Sequence, residues 1–321
     1  MNAITEPGHP GVEETLARYG VGELTSAWPG SPATRCAYRV RTRRAGKDQD
    51  YLFLRVDGRR FEAEIAALAA CDRAGLPVAN AIPNLEGQPV DTLNGETVIL
   101  TRRMPGRHVY NPTVRQVEAL GRFLARFHEA GGNLGPLPAF AWGENWLVEA
   151  SAALEGRLSY PSTRLLEATV QQVVSMLDRE DVARLPTGAV HGDMCRDNVL
   201  FNEHGLSGVS GFGQVASGFL VYDLAVAAND WCNDANGMLD PDRTLGFLRA
   251  YQKLRPLVRG ELWFFSGFTL YAALTSWLKR LAFGHDSRVV PGLHFNTPLE
   301  LERIVEQHAA HFFYLDERLL T

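Results

Sequence analysis

One octapeptide, His191-Gly192-Asp193-Met194-Cys195-Arg196-Asp197-Asn198, gathers an imidazole, two carboxylates, a guanidinium and an amide within the length of a loop. Apolar stretches flank it, Gly188-Ala189-Val190 before and Val199-Leu200-Phe201 after, as expected of a loop between two strands. The pattern His-x-Asp-x-x-x-x-Asn suits phosphoryl transfer to an alcohol. That reaction needs a carboxylate that orients the hydroxyl and accepts its proton, and Asp193 is placed for the role. It also needs a metal to neutralise the nucleotide phosphates, and the side-chain oxygen of Asn198 is a suitable hard ligand. His191 braces the loop rather than reacts. The competing reading is a polar turn without chemistry, and the apolar flanks weigh against it.

The elements around this loop fall into two regions. A short helix over Val12–Tyr19 is followed by strands at Glu23–Trp28, Cys36–Arg43 and Tyr51–Val56, then by a helix over Arg60–Arg73. Gly75-Leu76-Pro77 stops that helix, and strands near Gln88–Leu93 and Glu96–Thr101 complete the region. After Pro105-Gly106 the periodicity becomes helical. Val117, Leu120, Phe123, Leu124 and Phe127 form an apolar stripe, and a helical stretch over Leu154–Leu177 is interrupted by Pro161. Further helices are expected at Tyr222–Trp231, Arg243–Leu254 (capped by Asp240-Pro241), Glu261–Phe283 and Pro298–Phe313. An α+β fold follows, with residues 1–104 as a small, mainly antiparallel β lobe and 105–321 as a larger helical lobe carrying the octapeptide.

Composition narrows the partners. A net charge of −5 argues against nucleic acid, and the basic cluster Arg41, Arg43, Arg44 and Lys47 is followed at once by Asp48 and Asp50, as at a solvated hairpin tip. The uncharged run Leu262–Leu278 is too short and too rich in hydroxyls for a membrane span and reads as a buried helix. Four scattered cysteines fit reduced thiols in the cytoplasm, and the first residues lack a signal-peptide profile. His308 and His311, without a carboxylate partner, read as surface or packed residues, and Cys195 and His128 as structural ones. The expected partner is a small molecule, with no nucleic acid and no membrane; nothing in the chain sets an oligomeric state.

His191 to Phe201 resembles the catalytic loop of the aminoglycoside phosphotransferase and choline kinase superfamily, most closely that of homoserine kinase type II. The likeness continues through Leu206–Phe212, Tyr222–Ala225, Asn229–Cys232, Ala74–Val78 and Pro105–His108. It implies a protein-kinase-like, two-lobed fold and a kinase using ATP and Mg²⁺, acting on the hydroxyl of an amino-alcohol or amino-acid-like metabolite. By the same resemblance, Gly30, Ser31 and Arg55 contact phosphates, with Glu62 or Glu64 of the following helix pairing with Arg55. Arg102, Arg103 and Met104 form the hinge that meets adenine, while Arg196, Asp230 and Trp231 lie toward the acceptor.

The chain departs from that pattern at three places. Where relatives carry a metal-binding Asp before Phe212, it has Gly211; Asp223 or Asp197 is the candidate compensating carboxylate. Arg55 stands where many kinases have Lys. Gly30 to Cys36 lacks the Glu and Asn residues of homoserine kinases, and a late-helix Arg of that family is Thr275. Two alternatives therefore stay open: a pseudokinase that binds ligand or regulates without turnover, and a cleft reused for metal-independent chemistry.

Overall fold

In a computed structural model, which describes residues 10–30, 35–58, 60–283, 297–316 and 318, the change of periodicity near residue 105 is a change of architecture. The first region comprises α1 (Pro10–Ala17), β1 (Glu23–Pro29), β2 (Cys36–Arg44), β3 (Lys47–Arg55), α2 (Phe61–Arg73), β4 (Ala81–Ile82), β5 (Asp91–Leu93) and β6 (Glu96–Arg102). The strands make one antiparallel sheet in the order β1-β2-β3-β6-β4, with β5 also on β6. Strand alternation divides its faces. Val40, Tyr51, Phe53, Val98 and Leu100 pack with Val12 and Leu16 of α1. Leu54 and Ile99 face the other way, joining Ala67, Leu68 and Cys71 of α2 in the main core. The basic cluster flanks the β2–β3 turn, where Arg41 pairs with Asp50 at 2.6 Å and Arg43 with Asp48 at 2.7 Å.

The second region holds α3 (Val114–Gly131), α4 (Glu144–Ala152), α5 (Tyr160–Leu177), α6 (Glu180–Ala183), β7 (Thr187–Val190), β8 (Val199–Asn202), β9 (Gly205–Val209) and β10 (Ala216–Phe219), followed by α7 (Leu220–Trp231), α8 (Pro241–Gln252), α9 (Arg259–Phe283) and α10 (Pro298–Ala310). Small hairpin-like sheets, β7 with β10 and β8 with β9, carry the octapeptide between them. The uncharged run lies inside α9, where Phe265, Phe268, Leu274 and Trp277 are buried. Among the described residues no helix is long and apolar enough to cross a membrane.

Two sequence expectations change here. Pro161 does not interrupt a helix. Ser159 caps α5, accepting the amide of Ser162, and Pro161 sits in the first turn, where a missing N–H costs nothing. The residues between α4, which ends at Ala152, and the Ser159 cap form turns, not the start of a helix. Strand β10 was not legible, because Gly218 dilutes its signal and its ladder partner, β7, is distant in sequence.

His308 of α10 is buried, not superficial, with Nε2 at 2.9 Å from Asn229 Oδ1. Burial pushes its imidazole down from 6.5 to about 4. The unfolded chain therefore takes up this proton at a higher pH than the folded one. The contribution to stability is full above about pH 6.5 and is lost as the pH falls toward 4. Urea unfolding at pH 7 and pH 4.5 is expected to show a fall that His308→Gln reduces by roughly 3 kcal/mol at most.

Candidate active site

Strand β7 leads into the octapeptide and β8 leads out of it, through a 3₁₀ turn at Arg196–Asn198. Its backbone is held from below by a buried carboxylate. Asp223 of α7 accepts the amide of His191 at 2.5 Å and that of Gly192 at 2.7 Å. His128 Nε2 donates to the same carboxylate at 3.1 Å, and its Nδ1 accepts from the Tyr251 hydroxyl at 2.7 Å. Arg255 bridges Tyr251 to Glu261. The chain of contacts thus runs from α9 through α8, α3 and α7 to the loop.

His191 is buried, and burial pushes its imidazole below the ordinary value, so it stays neutral. Its Nδ1 accepts the amide of Asp193 at 3.2 Å, and its Nε2–H donates to the Ser210 carbonyl at 2.9 Å. The ring is a brace with both nitrogens committed. Asp193 is left half-buried at the mouth of the loop. Asn198 Nδ2 donates to the Asp193 carboxylate at 2.9 Å and to its carbonyl at 2.7 Å. The base and ligand candidates therefore touch.

Gly211 has φ 87°, in the left-handed region. A Cβ there would lie 2.5 Å from Cγ and Nδ2 of Asn198 and 2.7 Å from its Oδ1. Asn198 occupies the room that an Asp side chain at 211 would need. Asp223, with no exposed surface, is spent on the loop amides, so it does not compensate as a ligand. Among the described residues no group of three or more His, Cys, Asp or Glu side chains converges on a metal position. The side chains of the described residues therefore do not by themselves make a site that fits a divalent ion. Gly211→Ala is expected to lower stability by about 1–3 kcal/mol through strain and the clash with Asn198, as measured by urea unfolding. Gly211→Asp would meet the same obstruction.

On the sheet side, Gly30 donates its amide to the Ala37 carbonyl at 2.8 Å and passes so close to Cys36 that a side chain would overlap it. Ser31 lies outside the described residues. The pairing expected for Arg55 is corrected. Its Nε binds Glu96 at 2.8 Å, because the end of β3 runs beside β6, and Glu62 is exposed. Glu64 is held instead by Arg35, at 2.7 Å, and the Arg35 Nε donates to the Arg55 carbonyl at 3.0 Å. Arg35 was not among the sequence candidates.

Arg102, Arg103 and Met104 form the connection out of the sheet. Arg102 pairs with Tyr51 in the sheet, and the Arg103 amide donates to the Asp50 carbonyl at 3.0 Å. Met104 packs closely on Gly208 of β9. Arg107 then exchanges amide and carbonyl with Phe201 at 2.9 and 3.0 Å, seating the connection on the β8–β9 hairpin.

On the acceptor side, Arg196 and Asp230 are spent largely on each other. The Asp230 carboxylate takes the Arg196 amide at 2.5 Å and its Nε at 3.1 Å, while Arg196 Nη1 donates to the Tyr110 carbonyl at 2.7 Å. Trp231 does not border an acceptor. It has no exposed surface, and its indole N–H supports the loop by donating to the Met194 carbonyl at 3.1 Å. Burial, with the carboxylates of Asp193 and Asp230, pushes the Cys195 thiol well up, so it is a packed thiol and not a nucleophile. Thr275 is buried and bonded within α9. The same helix brings another cation to the loop: half-buried Arg280, which feels the charge of Asp197.

A sheet lobe and a helical lobe meeting at an Asp–Asn loop define a kinase-like small-molecule phosphotransferase. The phosphotransferase enzyme family model matches residues 34–257, and the chain belongs to that family. It is 29% identical over 311 residues to a homoserine kinase of Methylobacillus flagellatus, covering 97% of this chain and 96% of that protein. It is 34% identical over 240 residues to a homoserine kinase of Pseudomonas aeruginosa (strain UCBPP-PA14), covering 73% and 75%. Among solved structures, the amicoumacin kinase hAmiN in complex with AMP-PNP, Ca²⁺ and Ami shares the fold with TM-score 0.70 at 15% identity, covering 97% of this chain and 96% of that one. The GDP complex of aminoglycoside 2'-phosphotransferase-IIIa does so with TM-score 0.61 at 16% identity, covering 95% and 99%.

Proposed function

We propose that the chain transfers the γ-phosphoryl group of ATP to the hydroxyl of a small amino-acid-like or amino-alcohol metabolite in the cytoplasm, with homoserine the first acceptor to try. The observation that carries this reading is the Asp193 carboxylate, half-exposed and aimed by Asn198 on a loop locked to Asp223. A hydroxyl docked on Asp193 gives up its proton to the carboxylate as its oxygen bonds to the γ-phosphorus, and ADP leaves with the bridging oxygen. The connection at Arg102–Met104 meets the base, with the lobes dividing after Met104. Arg280, at the acceptor end of the loop, suits a carboxylate on the substrate. The relatives named homoserine kinase support the substrate class.

A second reading, a ligand-binding protein without turnover, draws on Asn198 filling the space beside Gly211. A screen of hydroxyl-bearing amino acids and amino alcohols for acceptor-dependent ADP release separates the two. Acceptor-dependent release supports the kinase; ATP binding with no release for any acceptor supports the second reading.

A further inference from the structure

The Gly211-Phe212-Gly213 turn has glycines at both ends, and each admits a polar side chain from elsewhere. Gly211 admits Asn198. Gly213 admits Arg35: a Cβ there would lie 2.9 Å from Arg35 Nη1 and 3.1 Å from its Cζ. Helix α2 packs against this turn, and its Glu64, with a side chain only 4% exposed, fixes the guanidinium from the other side. Arg35 itself remains 36% exposed. Its Nε is taken by the Arg55 carbonyl and its Nη2 by Glu64, while Nη1 lies over the turn. Glu64 also acts electrostatically on His191, so this ion pair sits within reach of the octapeptide. The guanidinium is thus anchored by a buried carboxylate at the junction of sheet, helix and loop while part of it stays open to solvent.

We propose that Arg35 is the fixed cation that binds the nucleotide phosphates, taking over charge neutralisation that position 211 cannot deliver through a metal. Arginine suits this role, because its planar fork donates to phosphate oxygens while other nitrogens of the same group stay anchored. The sequence moves the cation from the end of β3, where Arg55 is diverted to Glu96, to the start of β2. This rests on the ATP-dependent reading above and deepens it.

The test is isothermal titration of the full chain with ATP and with adenosine, each in Mg²⁺ and in EDTA. The parent is expected to bind ATP in both buffers. Arg35→Gln is expected to weaken ATP at least about tenfold in both, leaving adenosine unchanged, since only the phosphates lose a charge-assisted contact. Arg43→Gln, at the exposed hairpin, removes the same charge and is expected to change neither. Should Arg35→Gln melt early, Gly213→Ala, which presses on Arg35, is expected to weaken ATP selectively. A parent that binds ATP while Arg35→Gln or Gly213→Ala binds it equally well would overturn the role of Arg35 and leave the kinase reading standing. A parent that binds no ATP in either buffer would overturn both.

Discussion

Asp193→Asn is expected to cut turnover by a factor of about 100 to 10,000, the range over which a positioned general base acts, with ATP affinity held within a factor of about two. The substitution is nearly isosteric. The amide oxygen of an asparagine at 193 can still accept from Asn198 Nδ2, and the backbone bond from Asp193 to His191 does not involve the side chain. What disappears is the group that takes the hydroxyl proton. Steady-state ADP release with the best acceptor, beside a titration of ATP, separates the two quantities. Turnover retained within about threefold would show that another group accepts the proton.

Asp223→Ala is expected to destabilise the fold by about 3–5 kcal/mol, read from urea unfolding. The side chain has no exposed surface, and its loss strands the amides of His191 and Gly192 together with His128 Nε2. Water reaches none of these groups without opening the core. Asp223→Asn keeps one acceptor and turns a donor toward the other amide, so its cost falls between those of the parent and Asp223→Ala. Equal stability of Asp223→Ala and parent would mean that the loop is held by its flanking strands alone.

The contrast between Asp193 and Asp223 shows what the sequence made legible. The octapeptide could be read because its chemistry is contiguous and its apolar flanks are local. The two lobes could be read because period-2 strands give way to period-3.6 helices after Pro105-Gly106. Asp223 carried the opposite signal: an acidic residue in an apolar helix suggested a spare metal ligand, whereas its partners are backbone amides more than thirty residues away. Trp231 fell inside a family-like motif, but α7 is apolar on nearly every face, so its helical phase was not readable. Arg35 escaped because its carboxylate partner lies 29 residues on, across the β2–β3 hairpin and into the first turn of α2. Arg55 misled for a related reason: register, not composition, decides that it meets Glu96.

The Gly211 position bears hardest on whether the site works. Its positive φ and its contact with Asn198 make it an integral part of this loop, not a deletion waiting for repair. The central claim is that phosphoryl transfer nonetheless proceeds from Asp193. Phosphorus NMR of the parent chain with ATP and homoserine, beside Asp193→Asn, tests it most directly. The account predicts a phosphomonoester resonance that grows with ADP in the parent and is absent in the variant over the same hours. ATP left intact by the parent, or an ester formed equally by both proteins, would contradict it.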